Sequence, residues 1–235
     1  MVRVFDKNML IMTTAVMVGV VVITYFVGDI VHQSQLTELN TEHVSELETI
    51  EERNINFTSS FLESSVLLDS AREDRAFGNY HFDLAHLFYT STLSEDNMTS
   101  FEDYQGRCIE NCTSAMPMYE TSHKNFQMAS SFFDSTKKFT DYENYVTLLS
   151  MYVNLTNSGA RLTLLRYNAS MYLKMLAENI TFVNGSAVLE NVTALEELFN
   201  ETMMMYGGEM GNYEQIQKEI DEYDIEGFST IREPI

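Results

Sequence analysis

Proline and glycine are scarce in this chain, with 2 Pro and 10 Gly among 235 residues. An all-β fold needs frequent turns, so this scarcity excludes a sandwich or barrel and points to long helices with few connections. Basic residues are also few: 14 Lys plus Arg stand against 35 Asp plus Glu, a formal net charge of -21. Such a surface repels phosphate backbones and anionic lipid headgroups, which excludes nucleic acid as a partner. It is first of all a device for solubility.

Cysteine is limited to Cys108 and Cys112, in RCIENCTS. A zinc site needs more ligands than this pair supplies, and no neighbouring His or Cys adds them, so no metal is expected. Outside the cytoplasm a C-x3-C pair is most simply a local disulfide. On one uninterrupted helix the two Cα atoms stand about 6 Å apart, near the bonding range, and the small loop limits the stabilisation to about 2 kcal/mol.

Signatures of chemistry are missing too. No H-E-x-x-H, phosphate loop, dinucleotide fingerprint or nucleophile elbow occurs. His81 and His86 are five residues apart and share no helix face, and His32, His43 and His123 are isolated in sequence. We therefore expect no enzyme, catalytic residue or cofactor. His86, Asp83 and Arg72 are expected to meet as a polar contact between helices. Arg161, Arg166 and Lys174 are expected to pair with local carboxylates, an anion pocket between helices being the alternative.

What the chain does have is a core-forming share of apolar residues, 45%, and one long uncharged run. Residues 9–27, MLIMTTAVMVGVVVITYFV, span roughly 28 Å as a helix, about one hydrocarbon core. Arg3 and Lys7 precede it, and Asp29, Glu38, Glu42, Glu46 and Glu48 follow. By the positive-inside rule residues 1–8 are a short cytoplasmic tail and everything after the run lies outside. The run is too long, and its flank too poor in small residues, for a cleaved signal peptide. We expect a retained transmembrane anchor in the cell membrane, with the C-terminal domain extracellular.

N-x-S/T occurs nine times, at Asn56, Asn97, Asn111, Asn154, Asn168, Asn179, Asn184, Asn191 and Asn200. With 17 Asn and 41 Ser plus Thr, chance gives about three. All nine follow the anchor, as N-glycosylation of a translocated surface requires.

The rest reads as all-α: an N-terminal transmembrane helix, then an extracytoplasmic helical bundle or array of helical hairpins. Residues 28–55 form a membrane-proximal helix with Val31, Leu36, Leu39, Val44, Leu47 and Ile50 at helical spacing. Residues 56–222 form the helical domain, and 223–235 a loose tail. Within it, Phe57, Phe61, Leu62, Val66, Leu68, Ala71 and Phe77 read as a broad core stripe. Gly78-Asn79 reads as a helix stop, and 94–117 as a long loop ending near Pro117. Residues 141–178 are one helix or a hairpin broken at Asn157-Ser158-Gly159. Residues 181–193 read as loop, and Gly207-Gly208 as a turn between two last helices.

Function follows from these absences as much as from the motifs. We expect a structural or interaction protein, an accessory subunit or cell-surface component, touching membrane lipid through residues 9–27. A protein partner or a second copy covers Leu36, Leu39, Val44 and Leu47, because 28–55 carries no sequon and its apolar stripe otherwise faces water. The alternative is an extracytoplasmic ligand-sensing bundle that signals through a partner.

Overall fold

A computed structural model describes the backbone of residues 7–189 and 192–223, and the side chains of 32–35, 37–189 and 192–223. The protein is all-α, with four helices and one small hairpin among the described residues. Helix α1 runs Lys7–Ser94, α2 Met98–Thr136, α3 Glu143–Glu178 and α4 Thr193–Glu222. A 3-10 turn, Lys137–Phe139, ends α2. Strands β1 (Ile180–Val183) and β2 (Ser186–Leu189) pair antiparallel between α3 and α4.

The chain divides between Arg53 and Asn54 into two units. In the first, every described side chain from His32 to Glu52 is exposed. Thr37, Thr41 and Thr49 donate their hydroxyls to carbonyls four residues back, which satisfies them without leaving the helix. Among the described residues no helix is long and apolar enough to cross a membrane. The side chains of the apolar run 9–27 lie outside the described residues.

The second unit is a bundle of α1 from Asn54 onward with α2, α3 and α4. The connections from α1 to α2 and from α2 to α3 are short and that from α3 to α4 carries the hairpin, and consecutive helices run antiparallel. Hydrogen-bond partners confirm the order. Tyr119, Ser122 and Thr136 of α2 meet Asn79, Ala71 and Ser60 of α1, in reverse sequence. His123 and Ser130 likewise meet Ala160 and Asn157 of α3. The core has two contiguous parts. One centres on Leu68, Phe126, Phe133, Leu155, Leu162 and Tyr213. The other joins Phe82, Cys108, Cys112, Tyr119, Ala169 and Leu173.

The expected break at Gly78 and the break left open at Gly159 are both absent. Gly78 does not stop α1 and Gly159 does not split α3; a Cβ on Gly78 would come within 2.7 Å of the Tyr119 ring, and one on Gly159 would overlap Phe126. Both glycines let an aromatic of α2 approach a neighbouring helix backbone. Tyr119 and Phe126 are seven residues apart, so they face the same way along α2. Asn79, read as part of the stop, accepts a 2.9 Å hydrogen bond from the Tyr119 hydroxyl.

The expected loop at 94–117 is helical except at 95–97, and 98–117 forms the first half of α2. Asn97 caps α2, its side chain accepting from the amides of Thr99 and Ser100. From there Phe101, Cys108, Cys112 and Ala115 supply a buried stripe, and α2 continues through Pro117. A proline there removes one backbone hydrogen bond at a cost of about 3 kcal/mol, which burial of Ala115 and Tyr119 on either side offsets. Gly207-Gly208 is no turn either, because α4 is continuous across it. The expected loop at 181–193 holds the hairpin, closed by Asn184 and Gly185 at φ 53° and 83°, the backbone of a two-residue primed turn.

The stripe expected at 57–77 separates into two faces. Leu68 and Ala71 are buried, with Phe57 and Phe61 packed against them, whereas Leu62, Val66 and Phe77 are exposed. Tyr223 lies just past α4, and the rest of the expected tail, 224–235, is outside the described residues.

Candidate functional site

The expected partner-binding residues stand in the first unit. Leu39, Val44 and Leu47 are exposed, as is Ile50 in the same stripe, while the Leu36 side chain is outside the described residues. Glu46 faces the His43 imidazole at 3.7 Å, with both side chains largely in water. Such a pair contributes little to helix stability. The stripe thus exposes apolar surface with only weak polar contacts beside it.

Sequon placement follows from helix phase and element ends. Asn56, Asn97, Asn154, Asn179, Asn184 and Asn200 are exposed, Asn111 and Asn168 half-buried, and Asn191 lies outside the described residues. Asn97 caps a helix through its side-chain oxygen, which leaves the amide nitrogen free to carry a substituent. Asn179 and Asn111 each donate one N–H to the carbonyl four residues back. A nitrogen substituted by a sugar keeps one hydrogen, so that bond is compatible with glycosylation.

Cys108 and Cys112 are both fully buried and unlinked. Spacing by Cα satisfied the disulfide expectation, but the continuous helix sets the Cβ atoms about 5–6 Å apart, beyond the ~3.5–4.5 Å that a disulfide needs. Closing the bond requires α2 to distort at Ile109 to Asn111. The hydrogen bond that the Cys112 thiol donates to Cys108 and burial both push Cys112 far above its ordinary value, so it is held as a thiol.

The titratable contacts expected between helices are rearranged. His86, Asp83 and Arg72 do not meet. His86 stacks between Phe82 and Phe199, Asp83 is exposed, and Arg72 donates to Tyr213 Oη at 3.0 Å and to Gln217. Arg161 pairs with Glu209 at 3.6 Å and Lys174 with Glu178 at 4.0 Å, as expected. Arg166 is different: its guanidinium lies between the Phe82 and Tyr206 rings, at 4.3 and 4.1 Å. Arg75, which sequence reasoning passed over, lies 4.5 Å from the Tyr213 ring.

Arg75 Nη1 and Arg166 Nε are buried and reach no hydrogen-bond acceptor among the described residues. An unmet donor costs about 1–3 kcal/mol, and desolvated cation–π contacts return up to about 2 kcal/mol each. The aromatic rings therefore hold these half-buried cations, with no carboxylate paired to them among the described residues. The seven-residue spacing of Arg75 and Phe82 puts both on one face of α1, but nothing in the sequence pairs Arg75 with Tyr213 or Arg166 with Tyr206.

Nearby, burial raises the Tyr119 phenol strongly, partly opposed by Arg166 and Arg75. Tyr89 is pushed up to about 12, by burial first and then by Glu196 and Cys108. Burial also raises Asp74 against the hydrogen bond from Asn125. Among the described residues no group of three His, Cys, Asp or Glu is placed to hold a metal ion. Comparison with protein-family models, curated proteins and solved structures finds no match for this chain.

Proposed function

We infer that the chain is a membrane-anchored, N-glycosylated, extracytoplasmic interaction protein. Its work is to hold a helical bundle outside the membrane and bind another protein. Residues 9–27 are its lipid-embedded anchor and the sequon asparagines its sugar acceptors. The observation that carries the reading is the exposed, sequon-free stripe of Leu39, Val44, Leu47 and Ile50 in the segment that follows the anchor. Isolated exposed leucines mean little, but Leu39, Leu47 and Ile50 fall within about 80° of one another round the helix, with Val44 at the edge of that face, and together offer a seam for a second helix.

A partner or second copy on this stripe buries on the order of 1,000 Å² if the contact is specific. The test replaces Leu36, Leu39, Val44 and Leu47 with Ser in protein extracted from its native membrane. The complex should fall to the mass of the single chain, with the bundle's melting unchanged. A complex that survives, or a wild-type protein that is already a lone monomer, refutes the reading.

The ligand-sensing alternative has one favourable feature, the ring-bound Arg75 and Arg166 with their unmet donors. Its test is a thermal-shift screen against small carboxylates, in which stabilisation lost in Arg166→Met supports sensing.

A further inference from the structure

The outer face of α1 in the bundle carries a second apolar stripe, separate from the one in residues 28–55. Leu62, Val66, Phe77, Tyr80 and Leu87 are each more than half exposed, Val66 at 68% and Tyr80 at 61%. With Asp69, Glu73 and Leu84 they follow gaps of three and four residues, so they share one face of the helix. From Leu62 to Leu87 that face is about 38 Å long. Folding does not need it: the opposite face, through Leu68, Ala71, Phe82 and Ala85, supplies the core contacts. The one sequon of α1, Asn56, is about 120° round the helix from Leu62. Sugars there leave the stripe clear.

Charge decides what covers it. Asp69 and Glu73 sit in the middle, between the apolar pair Leu62 and Val66 and the group Phe77, Tyr80 and Leu87. Asp69 is 3.6 Å from Arg72, with its own side chain 77% exposed. The Arg72 head is committed inward to Tyr213 and Gln217 of α4. A second copy is a poor occupant. Paired in parallel, it sets Asp69 against Asp69 and Glu73 against Glu73; paired antiparallel, it buries both carboxylates against Phe77 and Tyr80. Either arrangement desolvates acids with no base opposite. A basic residue at the same layers is attracted, and the net charge of -21 draws such a partner from a distance.

We propose that this face docks an amphipathic helix of another protein, apolar at both ends and carrying Lys or Arg at its centre opposite Asp69 and Glu73. The central acids exclude self-pairing and select the partner, while the flanking apolar residues supply the buried area. A helix laid along the stripe buries on the order of 1,000 Å², the lower bound for a specific contact. The contact is accordingly reversible and sensitive to salt.

The test uses the full chain in detergent micelles and two fluorescent helical peptides. Both carry Leu at the layers facing Leu62, Val66, Tyr80 and Leu87; one has Arg, the other Glu, facing Asp69 and Glu73. The acids lie between apolar ends, so either peptide direction presents the right order. The Arg peptide should bind saturably, and the Glu peptide at least about tenfold more weakly. Asp69→Lys with Glu73→Lys should reverse that preference. Val66→Asp with Leu87→Asp should abolish binding without moving the melting curve, since both positions are exposed. Leu39→Ser with Leu47→Ser should leave peptide binding intact, which keeps this test separate from that of the other stripe. The proposal is overturned if neither peptide binds, if both bind alike, or if the Leu39 and Leu47 changes abolish binding. It is equally overturned if sedimentation shows a dimer of the chain that Val66→Asp dissolves.

Discussion

Gly78 and Gly159 show how one residue type takes opposite roles along a helix. Both are buried beneath aromatic rings of α2, whereas Gly106, Gly207, Gly208 and Gly211 have nothing within 4 Å of an added Cβ. Alanine at Gly159 must displace Phe126, and at Gly78 Tyr119, at about 1–3 kcal/mol for overpacking. Alanine at Gly207 or Gly211 lowers unfolded-state entropy and should stabilise by about 0.4–1 kcal/mol. Urea unfolding of the four variants checks the contrast; a stabilised Gly159→Ala would mean that the ring is not where the packing places it. Tyr89 gives a pH prediction. Its phenol ionises near 10.0 when unfolded and near 12 when folded, so above pH 10 the unfolded chain loses a proton that the folded chain keeps. Stability is therefore unaffected below pH 10 and falls as pH rises towards 12. Tyr89→Phe should move the midpoint of alkaline unfolding upwards, and an unchanged midpoint would discount Tyr89.

At the scale of elements, α2 is where pattern and structure part most. Its first half has two sequons, two cysteines and a proline, all features of loops, yet Asn97 caps it and Phe101, Cys108, Cys112 and Ala115 bury one face. Sparse apolar spacing among polar residues hid the helix, because small buried residues such as Ala115 carry little pattern. The helical class, the helical periodicity from Leu148 to Leu176 and that of the membrane-proximal segment were legible, since each rests on large side chains repeating at 3.6 residues; that 143–178 is one helix rather than a hairpin was left open by Asn157-Ser158-Gly159. The hairpin was legible in principle from Asn184-Gly185 between ITFV and SAVL, a dipeptide that demands positive φ at both positions. The Arg75 and Arg166 seam was not, because which ring meets which cation depends on how four helices pack. The continuity of α2 has a direct chemical consequence. Cys108 and Cys112 should remain thiols that resist alkylation in the folded protein and react promptly in denaturant. Recovery of a peptide crosslinked between them from unreduced native protein would show that α2 is broken there.

At the scale of the whole molecule, the two apolar stripes and the sequons divide the surface. All eight described sequon asparagines are at least partly open to solvent, while the stripes through Leu39 and Leu47 and through Val66 and Tyr80 carry none. A bulky solvated sugar blocks close packing, so on the proposed function this partition would leave helix faces for protein partners and the remainder for carbohydrate. The partition has meaning only if the chain after residue 27 is translocated, as the proposed function holds; the flanking charges and the excess of sequons are what support that proposal. The most direct measurement is the intact mass of the protein purified from its native membrane, before and after enzymatic removal of N-linked sugars. The expected result is a mass above the bare polypeptide by several glycans, falling on treatment, with Asn154 and Asn168 among the asparagines converted to Asp. A native protein at the mass of the bare chain would contradict the claim that this bundle stands outside the membrane.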